Sequence, residues 1–263
     1  MNKIGITQWM QPLPLAELAP LAKEHGFTGI GLPFNADYKE NSVFCPAVRE
    51  QALDLQRQYG MSYPSMGMNI FCEVRLCVPE NFDLACAILA DAVSAAKATG
   101  VPILQVPAFY ASRIYTAEDL ANTAAVFRAA CLAAQADDVM ITSENALTTE
   151  ENLQLVKAVN CHNFALYFDT QNPVSFAGYN ATEQVAPLLP YIAQLHLKDG
   201  DDSGASLLGK GNTDFFKTAA AFKAGGYEGW MLSETNYNQL LKESGQSLEA
   251  LLAADAATIA AIF

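Results

Sequence analysis

The sequence predicts one domain, a single (β/α)8 TIM barrel spanning residues 1–263. Three observations carry that expectation. Eight short apolar runs alternate with eight longer helical stretches from end to end. The 263 residues match the roughly 250 that eight parallel βα units occupy. No linker, low-complexity tract or evident repeat divides the chain. A doubly wound open sheet is the competing architecture, but it carries a glycine-rich first turn, and Gly5-Ile6-Thr7-Gln8 is no such fingerprint.

The units follow in order. A strand over 3–9 leads to a helix over 15–25 that stops at His25-Gly26, with the histidine placed to suit the negative end of the helix dipole. The next pairs are 28–34 with 47–59, ending at Tyr59-Gly60, and 61–68 with 81–99, ending at Thr99-Gly100. Each of these glycines stands where a helix closes in the left-handed conformation. The strand over 101–108 precedes a helix over 117–136, capped by Thr116 ahead of Glu118 and Asp119. The strand over 139–144 precedes 150–159, capped by Thr148 ahead of Glu150 and Glu151. The last three pairs are 164–169 with 182–189, 192–198 with 214–224 (closed by Gly225), and 230–234 with 246–262. Each strand is short, apolar and bounded by Gly, Pro, Asn or Asp, as a parallel strand buried on both faces should be.

Composition narrows the function. Apolar side chains make up 51% of the chain and charged ones only 16%, which excludes a disordered protein. The 15 basic and 28 acidic residues give a formal charge of −13. That argues against a nucleic-acid binder, which needs clustered Lys and Arg, and against attraction to anionic membranes. No run reaches the length of a membrane span, and the apolar stretch over 248–263 is interrupted by Glu249 and Asp255. The start of the chain lacks the apolar stretch of a secretory signal, and the six cysteines form no CxxC pair. The expectation is a cytoplasmic protein with reduced, mostly buried thiols. The Ala- and Leu-rich last helix is suited equally to covering the barrel wall or meeting a partner subunit, so a homo-oligomer stays open.

In a barrel the reacting groups come from the C-terminal strand ends. Here four successive ends each carry one ionisable residue: Glu144, Asp169, His196 and Glu234. Neighbouring strands lie about 4.8 Å apart, so the four can converge on one half of the rim. Taken singly, Asp169 fits a helix cap and His196 a satisfied core histidine. Taken together, three crowded carboxylates and an imidazole repel and resist desolvation, which a divalent cation resolves. Three oxygen donors and one nitrogen suit Mn²⁺, with Mg²⁺, Co²⁺ and Zn²⁺ also admitted. The other histidine, His162, falls in a connecting loop.

These segments resemble a known superfamily. Glu144 in SEN, Asp169 in FDTQN, His196 in HLKD, LGKGNTDF at 208–215 and Glu234 in GYEGWMLSE are similar to the xylose-isomerase-like sugar isomerases and epimerases. The resemblance implies a barrel in which Glu144, Asp169, His196 and Glu234 bind one divalent metal. It also implies that Glu144 and Glu234 exchange a proton with a small carbohydrate or polyol from opposite faces, through a cis-enediolate. Return of the proton to the neighbouring carbon isomerises, and return to the opposite face of the same carbon epimerises.

Two departures separate the chain from the ketose epimerases within that group. Asn172 stands three residues after Asp169, where they have a histidine, and an amide cannot act as an acid or base. After His196 come Lys198 and Asp199-Gly200-Asp201-Asp202, without their substrate-binding arginine. Lys198 shares His196's face of the strand, either to reach substrate or to pair with an acid. Substrate contacts are expected from Lys198 and Asn172, and more weakly from the rim candidates Trp9, Gln105, Phe109 and Asn145, with Trp9 and Phe109 as an apolar wall against a sugar ring. Gly209-Lys210-Gly211 reads as a turn, with Thr213 and Asp214 placed to cap the next helix, and secondarily as a phosphate loop.

A metal-dependent sugar or polyol isomerase or epimerase is the leading expectation. A dehydratase of inosose or 3-dehydroshikimate type is its rival, because the same enediolate can expel a β-hydroxyl. An endonuclease IV-like enzyme would need many histidines where this chain has three. A non-catalytic binding barrel would be expected to lack one of the four ligands. The diffuse negative charge favours a neutral substrate over a sugar phosphate.

Overall fold

The computed structural model describes residues 3–263. Eight parallel strands close a barrel: β1 (Ile4–Thr7), β2 (Gly29–Pro33), β3 (Met66–Gly67), β4 (Ile103–Ala108), β5 (Met140–Asn145), β6 (Phe164–Asp169), β7 (Ile192–Leu197) and, after the two-stranded hairpin β8 (Asp199–Asp201) and β9 (Gly204–Ser206), β10 (Trp230–Ser233). The strands are neighbours in chain order, and β10 closes the ring between β7 and β1. The predicted fold class is the observed one.

The outer layer is built from α1 (Leu15–Glu24), α2 (Tyr38–Asn41), α3 (Pro46–Tyr59), α4 (Phe82–Thr99), α5 (Ala117–Ala134), α6 (Thr149–Val159), α7 (Asn172–Ala177), α8 (Ala181–Leu188), α9 (Phe215–Ala224), α10 (Tyr237–Ser244) and α11 (Leu248–Ile262). Their apolar faces bury Leu18, Leu55, Leu89, Phe127, Leu155, Val185, Phe222 and Leu252 in one continuous core with the strands. Among the described residues no helix is long and apolar enough to cross a membrane. The six cysteines are free; Cys77 and Cys131 are buried and the other four only half-buried, so the expectation of mostly buried thiols is corrected.

Local chemistry explains most boundaries. Thr116 and Thr148 each accept a hydrogen bond from the third helical N–H, and Asp119 and Glu151 reach back to complete capping boxes. Elsewhere the structure departs from expectation for physical reasons. The third strand keeps only two paired residues of the predicted 61–68, because Pro64 has no N–H to give the ladder; pairing through Ser62 survives as an isolated bridge to Gly29. The first strand stops at Thr7, and a tight turn over Gln8–Met10 takes Trp9 out of register. At the end of α9 it is Gly226, not Gly225, that takes the positive φ. The hairpin β8–β9 and the helices α7 and α10 were not anticipated, being short rim insertions in polar segments without a strong period.

Thr213 and Asp214 do not cap α9. Asp214 is itself left-handed and makes no side-chain cap, while the Thr213 hydroxyl donates to Asp199 Oδ1 at 2.7 Å. That leaves α6 as the cleanest test of capping. Thr148→Ala is expected to lower stability by about 1 kcal/mol in urea melts, without disturbing the strand ends described below.

Candidate active site and metal centre

The barrel register brings the four strand-end residues together. Asp169 pairs with His196 across β6 and β7, and His196 pairs with Leu232 across β7 and β10. Glu144 lies on β5 opposite Pro107. Glu234 follows the last paired residue of β10, and its N–H donates to Leu197 O at 2.9 Å, extending the ladder by one step. All four are buried, with Glu144 1%, Asp169 2%, His196 0% and Glu234 6% exposed. One donor atom from each lies within 4.8 Å of the others, so the cluster can hold a metal ion.

The donor set has an unmet demand that a bound cation would satisfy. His196 Nδ1 faces both glutamates, 3.2 Å from Glu144 Oε1 and 3.6 Å from Glu234 Oε2. Asp169 Oδ1 accepts the N–H groups of Gln171 and Asn172, each at 2.7 Å. Its Oδ2 is buried without a hydrogen-bond partner, as is His196 Nε2. A carboxylate oxygen buried without a donor is costly, and a divalent ion bound there would remove that cost.

The two glutamates are gripped differently. Glu144 receives two neutral amides: Gln105 Nε2 donates to Oε2, and Asn172 Nδ2 to Oε1 at 2.9 Å. Glu234 receives the Trp9 indole N–H on Oε1 at 2.8 Å and the Lys198 ammonium on Oε2 at 2.9 Å. Burial, only partly offset by His196, pushes Glu144 up to about 7. Burial acts in the same direction on Glu234, but His196 and Lys198, with hydrogen bonds from Lys198 and Trp9, outweigh it and hold the carboxyl down at about 2. Burial also raises Asp169, against the opposing pull of Lys198. His196 and Lys198 are both raised, because the surrounding acids overcome the desolvation that would lower them.

The indole position depends on two glycines. A Cβ at Gly67 would lie 2.7 Å from the Trp9 ring, and one at Gly31 3.4 Å from it and 2.8 Å from Leu232. With both absent, the ring folds against β2 and β3, and its centroid stands 5.8 Å from that of His196.

The expected contacts Lys198, Asn172, Gln105 and Trp9 therefore all meet the glutamates. The ion-pair alternative for Lys198 is realised, with an acid of the site itself. The other rim candidates, Asn145 and Phe109, meet different partners. Asn145 donates to Ser143 Oγ and Asn152 Oδ1, both at 3.0 Å, and accepts from Leu147 N, so it fastens β5 to α6. Phe109 stacks on Phe176 of α7 at 5.4 Å and 15°. In the turn Gly209-Lys210-Gly211 two amides are engaged internally: Lys210 N reaches Leu207 O, and Gly211 N reaches Asp199 Oδ2 at 2.8 Å.

Sequence reasoning missed two supporting residues. Buried Asp199 organises the turn, accepting from Gly200, Gly211 and Thr213. Thr170 exchanges hydrogen bonds with the Lys198 backbone, at 2.7 Å to its carbonyl and 2.9 Å from its N–H, and so carries the β6–β7 pairing up to the lysine. Their positions in FDTQN and HLKD, next to the strand-end residues, were the available signal.

Comparison with known proteins points the same way. A family model described as a xylose isomerase-like TIM barrel matches residues 19–256. The 2-epi-5-epi-valiolone 7-phosphate 2-epimerase of Actinoplanes sp. strain SE50/110 is 33% identical over 225 residues, 84% of this chain and 82% of that protein. The fold matches that of D-allulose 3-epimerase from Methylomonas sp. in complex with D-allulose, with a TM-score of 0.77 and 18% identity, over 100% of this chain and 97% of the other. It also matches 3-keto-D-glucoside 4-epimerase from E. coli, with a TM-score of 0.75 and 14% identity, over 98% of each chain.

The shifts predict how metal and pH interact. For carboxyls raised above their unfolded values, as Glu144 and Asp169 are, the native state holds extra protons. Their contribution to stability is full at low pH and is lost as pH climbs from the usual carboxylate range of about 4.5 toward the native value. His196, also raised, adds a loss in the same direction as pH rises through its native value. Depressed Glu234 acts oppositely and loses its contribution only in strong acid, as pH falls toward about 2. Metal binding displaces the extra protons, so the rise in melting temperature on adding Mn²⁺ to EDTA-treated protein should grow between about pH 5 and pH 7.5. Differential scanning fluorimetry across that range checks it, and a metal effect independent of pH would contradict it.

Proposed function

The chain belongs to the xylose isomerase-like TIM-barrel family, and from that membership we propose that it is a divalent-metal-dependent epimerase of a small polyhydroxylated ketone. The observation that carries the reading is the pair of buried glutamates that both approach His196 Nδ1, each oriented by its own donors. Two carboxyl groups at one site are what inversion at a carbon beside a carbonyl requires: one, ionised, takes the proton from one face, and the other, protonated, gives its own proton to the opposite face.

In this reading Glu144, Asp169, His196 and Glu234 hold the ion. When bound, the ion supplies an electrophile for the substrate's carbonyl and adjacent hydroxyl oxygens, which stabilises the charge left by proton removal. Mn²⁺ is the first choice for a site of three oxygens and one nitrogen. Lys198 and Trp9 keep the Glu234 carboxylate aimed into the site, while Gln105 and Asn172 do the same for Glu144. Held this way, the proton-transfer groups need no reorganisation when substrate arrives. The same donors are the substrate-binding candidates, since hydroxyls can share them.

Substrate charge has two supports that disagree. A chain charge of −13, and a Gly209–Gly211 turn whose Lys210 and Gly211 amides are engaged, favour a neutral ketose or cyclitol ketone. The Actinoplanes relative is named for a phosphorylated cyclic ketone, which favours a phosphate ester. The neutral substrate is the expectation, and kcat/KM for matched neutral and phosphorylated ketoses decides between them.

Glu144→Gln is expected to lose bound metal on elemental analysis and to cut kcat by about a hundredfold or more. Retained metal would remove Glu144 from the site. In D₂O the wild-type enzyme should place deuterium on the inverted carbon without loss of water from the substrate. An enone product would assign the dehydratase reaction instead.

A further inference from the structure

α11 covers the barrel with apolar residues, burying Leu248, Leu251, Leu252 and Ile259. Among them it buries one acid, Asp255, which is 0% exposed. A helix that only has to pack needs no carboxylate there, and burying one is expensive unless both oxygens are satisfied.

Both oxygens are. Oδ1 accepts the backbone N–H of Leu208 at 2.9 Å. Oδ2 accepts the hydroxyls of Thr235 and Tyr237, each at 2.6 Å. The Ser233 hydroxyl lies 3.5 Å from Oδ2 and donates to the Tyr237 oxygen at 3.0 Å, so it joins the network through that tyrosine. Ser233 and Thr235 flank Glu234, and Leu208 leads into the turn whose Gly211 N–H holds Asp199. A single side chain on the outer helix therefore grips two segments of the rim. No neutral side chain of this size accepts from a backbone amide and two hydroxyls on separate oxygens at once.

We propose that Asp255 is a positioning residue for Glu234: its buried carboxylate clamps Thr235 directly and Ser233 through Tyr237, on either side of that glutamate, and sets where it stands in the site. The segment it holds begins at Ser233, the last paired residue of β10, and runs past it to Thr235, where the Glu234 N–H to Leu197 carries the ladder one step further. The clamp replaces strand pairing at the place where proton transfer demands the smallest positional error. The consequence for metal binding and turnover rests on the role proposed above for Glu234; the clamp itself does not.

Asp255→Asn keeps the shape while forcing a donor against the hydroxyls. Leu252→Ala, on the same helix and equally buried, loosens packing without touching the clamp. Both variants are followed by hydrogen exchange of the 233–235 amides in metal-free protein and by Mn²⁺ affinity from titration calorimetry. Asp255→Asn should speed that exchange, and should weaken Mn²⁺ binding, by about tenfold or more, with Leu252→Ala within about twofold of wild type in both. The proposal is overturned if Asp255→Asn leaves the 233–235 exchange near wild type, if it leaves Mn²⁺ affinity near wild type although Glu234→Gln weakens that affinity, or if Leu252→Ala reproduces both changes. Failure of the Glu234 assignment looks different: Glu234→Gln would keep Mn²⁺ affinity while Asp255→Asn still loosened the segment.

Discussion

The constraint on which this structure turns is the burial of three carboxylates around one imidazole, within 4.8 Å of each other and almost without solvent. Like charges so placed are mutually destabilising, and each also loses its hydration. The rest of the rim is arranged to make the gathering tolerable. Backbone amides at the start of α7 take one oxygen of Asp169, side-chain amides take Glu144, and an ammonium and an indole take Glu234. What these donors leave unsatisfied, Asp169 Oδ2 above all, faces the demand that a divalent cation meets.

Each donor depends on a structural choice made elsewhere. Trp9 reaches Glu234 because β1 ends early and because Gly31 and Gly67 leave room for its ring. Asn172 reaches Glu144 because α7 begins immediately after β6. Lys198 sits at the height of Glu234 because Thr170 extends the pairing of β6 with β7. The barrel thus does more than bring four strand ends together. Its irregular connections supply unequal surroundings to two chemically identical glutamates, with opposite effects on how readily each holds a proton. That inequality is a property of the metal-free protein, and a bound cation would lower both.

Much of this was legible before any coordinates. The alternation of short apolar runs with helical stretches reflects a physical requirement, that parallel strands be covered on both faces, and it predicts the barrel directly. Thr116 and Thr148 signalled their caps because capping is local in sequence. The four strand-end residues were legible because strand ends in a barrel share one rim. Thr213 and Asp214 misled, since their polar pattern fits a cap but Asp199 competes for the threonine. Asn145 misled because alternation along β5 turns it away from Glu144 and into the packing behind the strand.

The sequence by itself determined the architecture, the identity of the clustered side chains and the chemistry those types can perform, because each follows from periodicity, residue type and position along a strand. Tertiary structure alone decided which donor meets which carboxylate. Gln105 and Glu144 are 39 residues apart, Trp9 and Glu234 are 225 apart, and Asp255 grips Leu208 across 47. Contacts at such separations leave no trace in local pattern, because they are set by the closing of the barrel and by the few glycines and turns that let side chains cross it.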